Sequence, residues 1–288
     1  MRARLKKAAT AAATTVAVTA ALVVGTATGS SAQAAGLRAF AISSDGKLMA
    51  TYWTGQPQVL DWVRLVQGLT CGETRLIGID FRVQNGLLYG VGEKGCIYTI
   101  KFPPAAPDVI VTKVSQLSVP LYGTNFGVDF NPAADRLRVI SDYGQNLRHN
   151  LADHVTVEDT ILTTPPAGGP TRGVTAAAYT NNDLNPDTAT TLFDIGTATD
   201  QVLVQSPANA GFLSPTGALG VDTGPIAGFD IYSDLTNGKT TSVSAFAVLN
   251  PASGPSTFHT VNLLTGAATK VGEFPLPIGD IAVALDTN

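Results

Sequence analysis

The sequence predicts an all-β protein, a five-bladed β-propeller closed by pairing of its C-terminal strand with its N-terminal strands. Three observations carry that expectation. Short segments recur: Gly127-Val128-Asp129-Phe130 echoes Gly78-Ile79-Asp80-Phe81, and Leu137-Arg138-Val139-Ile140 echoes Leu88-Tyr89-Gly90-Val91 at the same offset. Leading glycines at 78, 127, 173, 228 and 279 are spaced 49, 46, 55 and 51 residues apart, close to the ~40 to 50 residues of a four-stranded blade. The chain also opens with strands two, three and four of a unit lacking its first strand, and closes on a first strand with nothing after it. Joining the two completes a fifth unit and removes two sheet edges. A β-sandwich of similar strand number is the alternative, because strand periodicity alone does not separate the two.

The N-terminus carries Arg2, Arg4, Lys6 and Lys7, then an Ala/Thr/Val run to about Val24, then small residues ending in Ala32-Gln33-Ala34. A basic region, an apolar run and an A-x-A site make residues 1–34 an expected secretory signal peptide, cut after Ala34. An uncleaved anchor is the alternative, but the run is Thr-rich and short of the ~20 strongly apolar residues of a span. Cleavage removes four basic groups and no acidic one, leaving 14 Lys and Arg against 22 Asp and Glu. The resulting charge argues against nucleic acid as a partner. Residues 35–288 are expected to form a single β-propeller domain, secreted, monomeric and free of the membrane. Charged residues at 14%, with 29 Gly and 17 Pro, suit short strands and tight turns better than long amphipathic helices.

Taken in order, residues 37–43, 47–53 and 59–66 read as three strands. The first two are joined by Ser44-Asp45-Gly46, a D-G turn between alternating apolar runs. The second unit runs from Leu76 to about Leu117, with turns at Asn85-Gly86 and Lys94-Gly95. The third runs from Asn125 to about Leu162, turning at Asp135 and at Tyr143-Gly144. The fourth starts at Gly173 and continues through 190–195 and 201–205. The fifth has 226–231, 243–249, 257–261 and 268–274. Ile278 to Leu285 is the orphan first strand, expected innermost beside Leu37 to Ser43, with Ile281 and Val283 packed with Phe40 and Trp62.

Cys71 and Cys96 are the only cysteines. In an exported chain a disulfide is expected ahead of a metal site or a nucleophile, with two free thiols as the alternative. The starts of the first and third strands of that unit lie two strand spacings apart, about 9 to 10 Å. The 71–75 segment must therefore fold back for the sulfurs to meet.

G-T-N-F-G-V-D-F-N-P-A-A-D-R-L-R-V-I-S-D-Y-G-Q-N-L-R (123–148), G-I-D-F-R with L-Y-G-V (78–91), V-T-A-A-A-Y-T-N-N (174–182) and G-A-L-G-V-D with G-F-D-I (217–231) resemble the exported bacterial proteins grouped as the DUF4394 family. The resemblance spans nearly all of the chain beyond residue 34. That family has no established activity, substrate or catalytic residues, so the resemblance implies no chemistry. This chain departs from the family pattern at Cys71 and Cys96 and in a shortened, Pro-rich segment at 102–107.

Asp80, Asp129 and Asp230 take equivalent repeat positions, with Thr175 in the fourth unit and Asp280 near the corresponding place in the closing strand. If the first strands line a channel, several carboxylates converge there. Clustered oxygens suit Ca²⁺, and paired carboxylates suit acid/base work on a glycoside. The competing expectation is structural, since a residue that recurs in every repeat usually serves the repeat, here by accepting backbone N–H bonds. Residues that break the repeat are better ligand candidates. The third unit offers Arg136, Arg138, Asp142, Gln145, Asn146, Arg148 and His149, and the fourth offers Arg172, Tyr179, Asn181 and Asn182; Asn125 and the repeat-position Asp129 are added to them as candidate ligand-binding residues. Their amide and guanidinium groups supply the directional hydrogen bonds that a polar small molecule or carbohydrate needs, although solvated loops would look similar.

No catalytic residue is assigned. The histidines are His149, His154 and His259, with no H-E-x-x-H, no G-x-S-x-G elbow and no Gly-rich phosphate loop before a helix. His149 and His154, five apart on a hairpin, read as surface residues. Two functions are carried forward: a non-catalytic exported module that binds a polar ligand or a surface partner, and a secreted glycan-processing hydrolase using channel carboxylates.

Overall fold

The computed structural model describes residues 36–287, so the expected signal peptide at 1–34 lies outside the described residues. Within that range the chain is all-β, with twenty strands and one short 3-10 turn. The first group is β1 (Arg38–Ser43), β2 (Leu48–Trp53) and β3 (Leu60–Gln67), and the second is β4 (Leu76–Arg82), β5 (Leu87–Gly92), β6 (Cys96–Lys101) and β7 (Val109–Gln116). The third is β8 (Phe126–Asn131), β9 (Arg136–Ser141), β10 (Asn146–His149) and β11 (Thr156–Glu158). The fourth is β12 (Val174–Tyr179), β13 (Leu192–Gly196), β14 (Gln201–Gln205) and β15 (Leu213–Ala218). The fifth is β16 (Ala227–Thr236), β17 (Lys239–Leu249), β18 (Thr257–Val261) and β19 (Ala268–Glu273), followed by β20 (Ile278–Val283).

The third, fourth and fifth groups are separate four-stranded sheets, and the remaining strands form one eight-stranded sheet in the order β20-β1-β2-β3-β7-β6-β5-β4. Its halves are joined in one sheet by the short parallel pairing of β3 with β7 over Val66–Val109 and Gln67–Ile110; every other pairing in it is antiparallel. The first strands stand side by side: β4 lies against β8, β8 against β12, β12 against β16, β16 against β20, and β20 against β4. Their approach is close. A Cβ on Gly127 would stand 2.7 Å from the Ala177 nitrogen, and one on Gly228 would stand 2.6 Å from the Asp280 Cα, so these positions admit only glycine.

Apolar side chains gather between neighbouring groups, as expected for sheets that alternate along each strand. Phe40, Met49, Leu76 and Tyr98 fill the space between the first and second groups. Tyr89, Val91, Phe130 and Leu147 join the second to the third. Ile140, Tyr179 and Leu203 join the third to the fourth, and Phe193, Ile195 and Phe229 the fourth to the fifth. Ala39, Tyr52, Phe258, Ile281 and Val283 join the fifth back to the first.

The last strand pairs antiparallel with β1, with Ala41 opposite Ile281 and Phe40 opposite Ala282. That register corrects one expectation. Ile281 and Val283 do not pack with Phe40 and Trp62; they lie on the opposite face of the same sheet, and Ala282 takes the place beside Phe40. Strand side chains alternate, so a one-residue misjudgement of parity moves the whole set to the other face.

Cys71 and Cys96 form a disulfide across a Cα separation of 6.6 Å. The segment before β4 folds back to make it, with Cys71 itself at φ 62. Buried Glu73 holds the fold: its Oε1 accepts the N–H of Lys94 at 3.0 Å and of Cys96 at 2.8 Å, and its Oε2 accepts the Tyr98 hydroxyl at 2.9 Å. Among the described residues no helix is long and apolar enough to cross a membrane.

Candidate functional site

Two polar assemblies stand out against this apolar packing. The first lies where the first strands meet. Asp80, Asp129 and Asp230 each place a carboxylate oxygen within 4.8 Å of the others, and all three side chains are buried. Each acid also reaches the first strand of the following group. Asp80 Oδ2 accepts the N–H of Phe130 at 2.7 Å, and Asp129 Oδ1 that of Tyr179 at 3.0 Å. Asp230 Oδ2 accepts the N–H of Val283, and Asp280 Oδ2 that of Ile79 at 2.9 Å. These acids therefore stitch β4 to β8, β8 to β12, β16 to β20 and β20 to β4.

Pairing corrects the expected equivalences. Asp80 lies opposite Tyr89, Asp129 opposite Arg138 and Asp230 opposite Phe246; the corresponding residue in β12 is Ala178, opposite Phe193. Thr175 is therefore not the fourth-unit counterpart and instead donates to Thr197 Oγ1 at 3.4 Å. A register shift between Val174 and Ala176 displaces Gly173 from the glycine position, which Ala176 occupies. In β20, Ala282 stands at the aspartate position and Asp280 at the glycine position, opposite Ile42.

Burial raises the pKa of all four acids; Asp80, Asp129 and Asp280 are driven up further by the neighbouring carboxylates. Asp230, which accepts two backbone N–H bonds, is raised to about 6. Like charges this close and this dry discharge by holding protons or by taking a cation. The three clustered oxygens are the atoms that would hold one. A small hollow of about 40 Å³ opens at one end of the first strands, lined among others by Asn125, Thr175 and Gly279.

The second assembly centres on Arg138, which projects from β9 into the boundary between the third and fourth groups. Its Nε donates to the Tyr179 hydroxyl at 3.2 Å, Nη1 to Asn146 Oδ1 at 2.7 Å and to Asp159 Oδ2 at 2.8 Å, and Nη2 to Asn209 Oδ1 at 2.7 Å. Both members of the Arg138–Asp159 pair are buried, and Arg148 Nε donates to the same carboxylate at 2.9 Å. Asn146 Nδ2 continues the network to the carbonyls of Thr160 and Ala208, and Gln205 Nε2 donates to Ala208 O at 2.6 Å.

Acceptors outnumber donors here. Gln205 Oε1 and both oxygens of Asp194 are buried without a hydrogen-bond partner. Asp194 is fully enclosed, and burial pushes its carboxyl well up despite the opposing influence of Arg138. Beside this network opens a groove of about 310 Å³, with Tyr179, Leu192 and Gln205 as its buried floor and Asn131, Thr191 and Asn209 among its walls.

Of the residues expected from sequence, Arg138, Asn146, Arg148 and Tyr179 meet in this network, and Asp129 belongs to the acid cluster. Asp142 and Gln145 brace a loop: Asp142 Oδ1 accepts the N–H of Thr124 at 2.9 Å, and Gln145 bridges Tyr122 N–H and Pro120 O. Arg172 stacks on Tyr143 with 4.4 Å to the ring centre. Asn181 donates to Ala189 O, and Asn182 ties the fourth group to Ser233 and Ile231 of the fifth. Sequence reasoning missed Asp159, Asp194, Gln205 and Asn209. Asp194 carried a signal, as an acid inside the apolar run Leu192-Phe193-Asp194-Ile195. His149 corrects another expectation, being fully buried where a surface residue was expected.

The family description "Domain of unknown function (DUF4394)" matches residues 48–282. A comparison with curated proteins found no match. Among solved structures, a protein of unknown function from Bacteroides thetaiotaomicron is similar at TM-score 0.47 and 12% identity, over 85% of this chain and 66% of that one. TolB from Acinetobacter baumannii is similar at 0.45 and 10%, over 87% and 67%. Hydrazine synthase from Kuenenia stuttgartiensis is similar at 0.41 and 9%, over 70% of this chain, which spans about half (51%) of that one. At these scores the likenesses carry no inference about chemistry.

Proposed function

The chain belongs to the DUF4394 family, and from that premise we propose that it is an exported five-bladed β-propeller that binds a polar, carbohydrate-like small molecule without transforming it. The propeller reading is supported by five groups of strands whose first members stand side by side, with β20 completing the group that lacks a first strand. A basic leader sequence and a disulfide support export.

One observation carries the binding reading. The groove over the Arg138 network is lined by Gln205, whose Oε1 is a buried acceptor with no donor behind that lining. A buried acceptor left unpaired costs about 1 to 3 kcal/mol, and a hydroxyl-bearing ligand supplies the missing donor. The amides and hydroxyls of Asn131, Thr190 and Asn209 around it suit a sugar's alternating donors and acceptors. The hydrolase reading has less support, because the clustered acids are buried and committed to backbone N–H groups. Ca²⁺ at those acids is the accompanying proposal, since three oxygens already lie within one coordination sphere's reach.

The test is a melting-temperature and calorimetric survey with xylo-, cello-, arabino- and chito-oligosaccharides, in parallel with Ca²⁺. Thr191 is exposed on the groove wall, so Thr191→Trp fills the groove without touching the network. A thermal shift by one oligosaccharide that disappears in Thr191→Trp supports the proposal. Product release that stops in Asp129→Asn favours the hydrolase, and silence across the panel removes the carbohydrate reading.

A further inference from the structure

The third group carries a second polar constellation, on the side facing the second group and away from the groove. Ser115 of β7 is buried, and two imidazole nitrogens converge on its Oγ: His149 Nε2 at 2.8 Å and His154 Nδ1 at 2.7 Å. The two histidines come from opposite ends of one hairpin loop, and neither contributes to the Arg138 network or the acid cluster.

Proton counting shows that one hydroxyl cannot serve both rings as a donor. Ser115 owns a single O–H, so it fills one imidazole lone pair, and the other ring must turn an N–H toward the same oxygen. Three donor atoms of metal-binding type thus crowd one point. The loop is built to hold them there. Asn150 N–H bonds Val155 O at 2.9 Å, Asp153 Oδ1 accepts the N–H of Val155 at 3.0 Å, and His154 sits at φ 59, a conformation that a non-glycine residue adopts at a cost.

His149 is also oriented from behind. Its Nδ1 lies 2.9 Å from Thr156 Oγ1, which itself accepts the N–H of Ser118 at 2.9 Å. A hydrogen bond at the far nitrogen is the usual way a protein fixes the tautomer and aim of a metal-binding imidazole. His154 is exposed, which gives an ion a path from solvent.

We propose that Ser115, His149 and His154 form a site for a divalent transition metal of the imidazole-preferring class, with Zn²⁺ the foremost occupant. A tetrahedral ion with bonds of about 2.1 Å separates its ligands by about 3.4 Å. The present 2.7 and 2.8 Å separations from Ser115 Oγ need to open by about 0.6 to 0.7 Å. Two imidazoles and the serine oxygen fill three positions, and water or an exogenous ligand takes the fourth. Imidazole nitrogen favours Zn²⁺, Ni²⁺ and Cu²⁺ over Ca²⁺ or Mg²⁺, which sets this site apart from the acid cluster.

The experiment is calorimetric titration of the untagged exported chain with ZnCl₂ at neutral pH, with CaCl₂ as control, repeated on His154→Ala and on Asp129→Asn. Co²⁺ in place of Zn²⁺ gives a ligand-field spectrum that reports imidazole coordination. His154 is exposed, so its replacement leaves the fold in place, as its melting curve will show. The expected result is one Zn²⁺ per chain, weakened roughly tenfold or more in His154→Ala and unchanged in Asp129→Asn. No Zn²⁺ uptake by the parent chain, equal uptake by His154→Ala, or loss of uptake only in Asp129→Asn would overturn the proposal.

Discussion

The boundary between the fifth and first groups and that between the third and fourth are built on opposite principles. At the first, Tyr52, Phe258 and Phe274 meet edge to face, Phe246 stacks on Phe258, and Ile281 and Val283 of β20 complete an apolar seam. At the second, Arg138, Asp159, Asn146 and Gln205 occupy buried space, and Asp194 lies there with neither oxygen paired. Within the first sheet β20 and β1 pair without covalent continuity between them, and the apolar seam packs against that joint and supports it. The polar boundary leaves buried acceptors unpaired, the arrangement that the binding role proposed above calls for.

Breaking the apolar seam should produce the largest effects. A chain ending at Pro277 lacks β20 and with it the buried side chains of Ile278, Ile281 and Val283. Each is worth about 1.5 to 3 kcal/mol, and the exposed edge of β1 adds to the loss. The total rivals the ~5 to 15 kcal/mol that holds a domain folded. That chain should be insoluble or melt without cooperativity; a cooperative melt at the parental temperature would contradict the seam's role.

A smaller cut at the same place is Phe258→Ala. This ring is fully buried among Tyr52, Phe246 and Phe274, and its removal should cost about 3 to 5 kcal/mol in urea unfolding. Removing the disulfide tests a third kind of joint, inside one group. Cys71→Ser with Cys96→Ser opens a loop of sequence separation 25 and should cost about 3 kcal/mol by the chain-entropy argument. Thiol counting by mass spectrometry on the non-reduced parent should find none.

Much of this architecture was legible before any coordinates. Alternating runs bounded by Asp45-Gly46, Asn85-Gly86 and Lys94-Gly95 marked strands and turns because those residues meet a local backbone need. The first strand of the fourth group was misaligned because β12 lacks both the glycine and the aspartate that identify its counterparts, and a bulge shifts its register. Arg138, Asn146 and Tyr179 stood out as departures from the repeat. Asp159, Gln205 and Asn209 did not, since they join the network only once two sheets pack together. Ser115 was silent for the same reason: β7 and β10 are distant in sequence, and only packing brings its hydroxyl to the two imidazoles.

The acid cluster adds a pH signature to the comparison. The folded-state pKa values of Asp80, Asp129, Asp230 and Asp280 lie above the unfolded value, with Asp230 at about 6. Their contribution to stability is fully present below the unfolded pKa and is lost as pH rises through the folded values. His149 acts in the opposite direction: its pKa falls from 6.5 to about 4, so its contribution is present above 6.5 and is lost as pH falls toward 4. The two windows overlap between about 4 and 6, so comparing the parent with Asp129→Asn across that interval separates the acids from His149, which both chains share. The parent should lose more melting temperature with rising pH, or gain less, than Asp129→Asn does. Identical pH slopes in the two chains would mean that the acids are charged and compensated in the folded state.

The most direct test of the contrast between the two boundaries is the melting temperature of Asp194→Val. Valine suits a central strand and brings no polar atom into a fully enclosed position where the carboxylate has no partner. Replacing a buried unpaired polar group with an apolar one is neutral to stabilising, by up to about 1 to 3 kcal/mol. The expected result is a melting temperature a few degrees above the parent's. A drop of several degrees would show that Asp194 is satisfied in solution and supports the fold, and that the third–fourth boundary gives up no stability for binding.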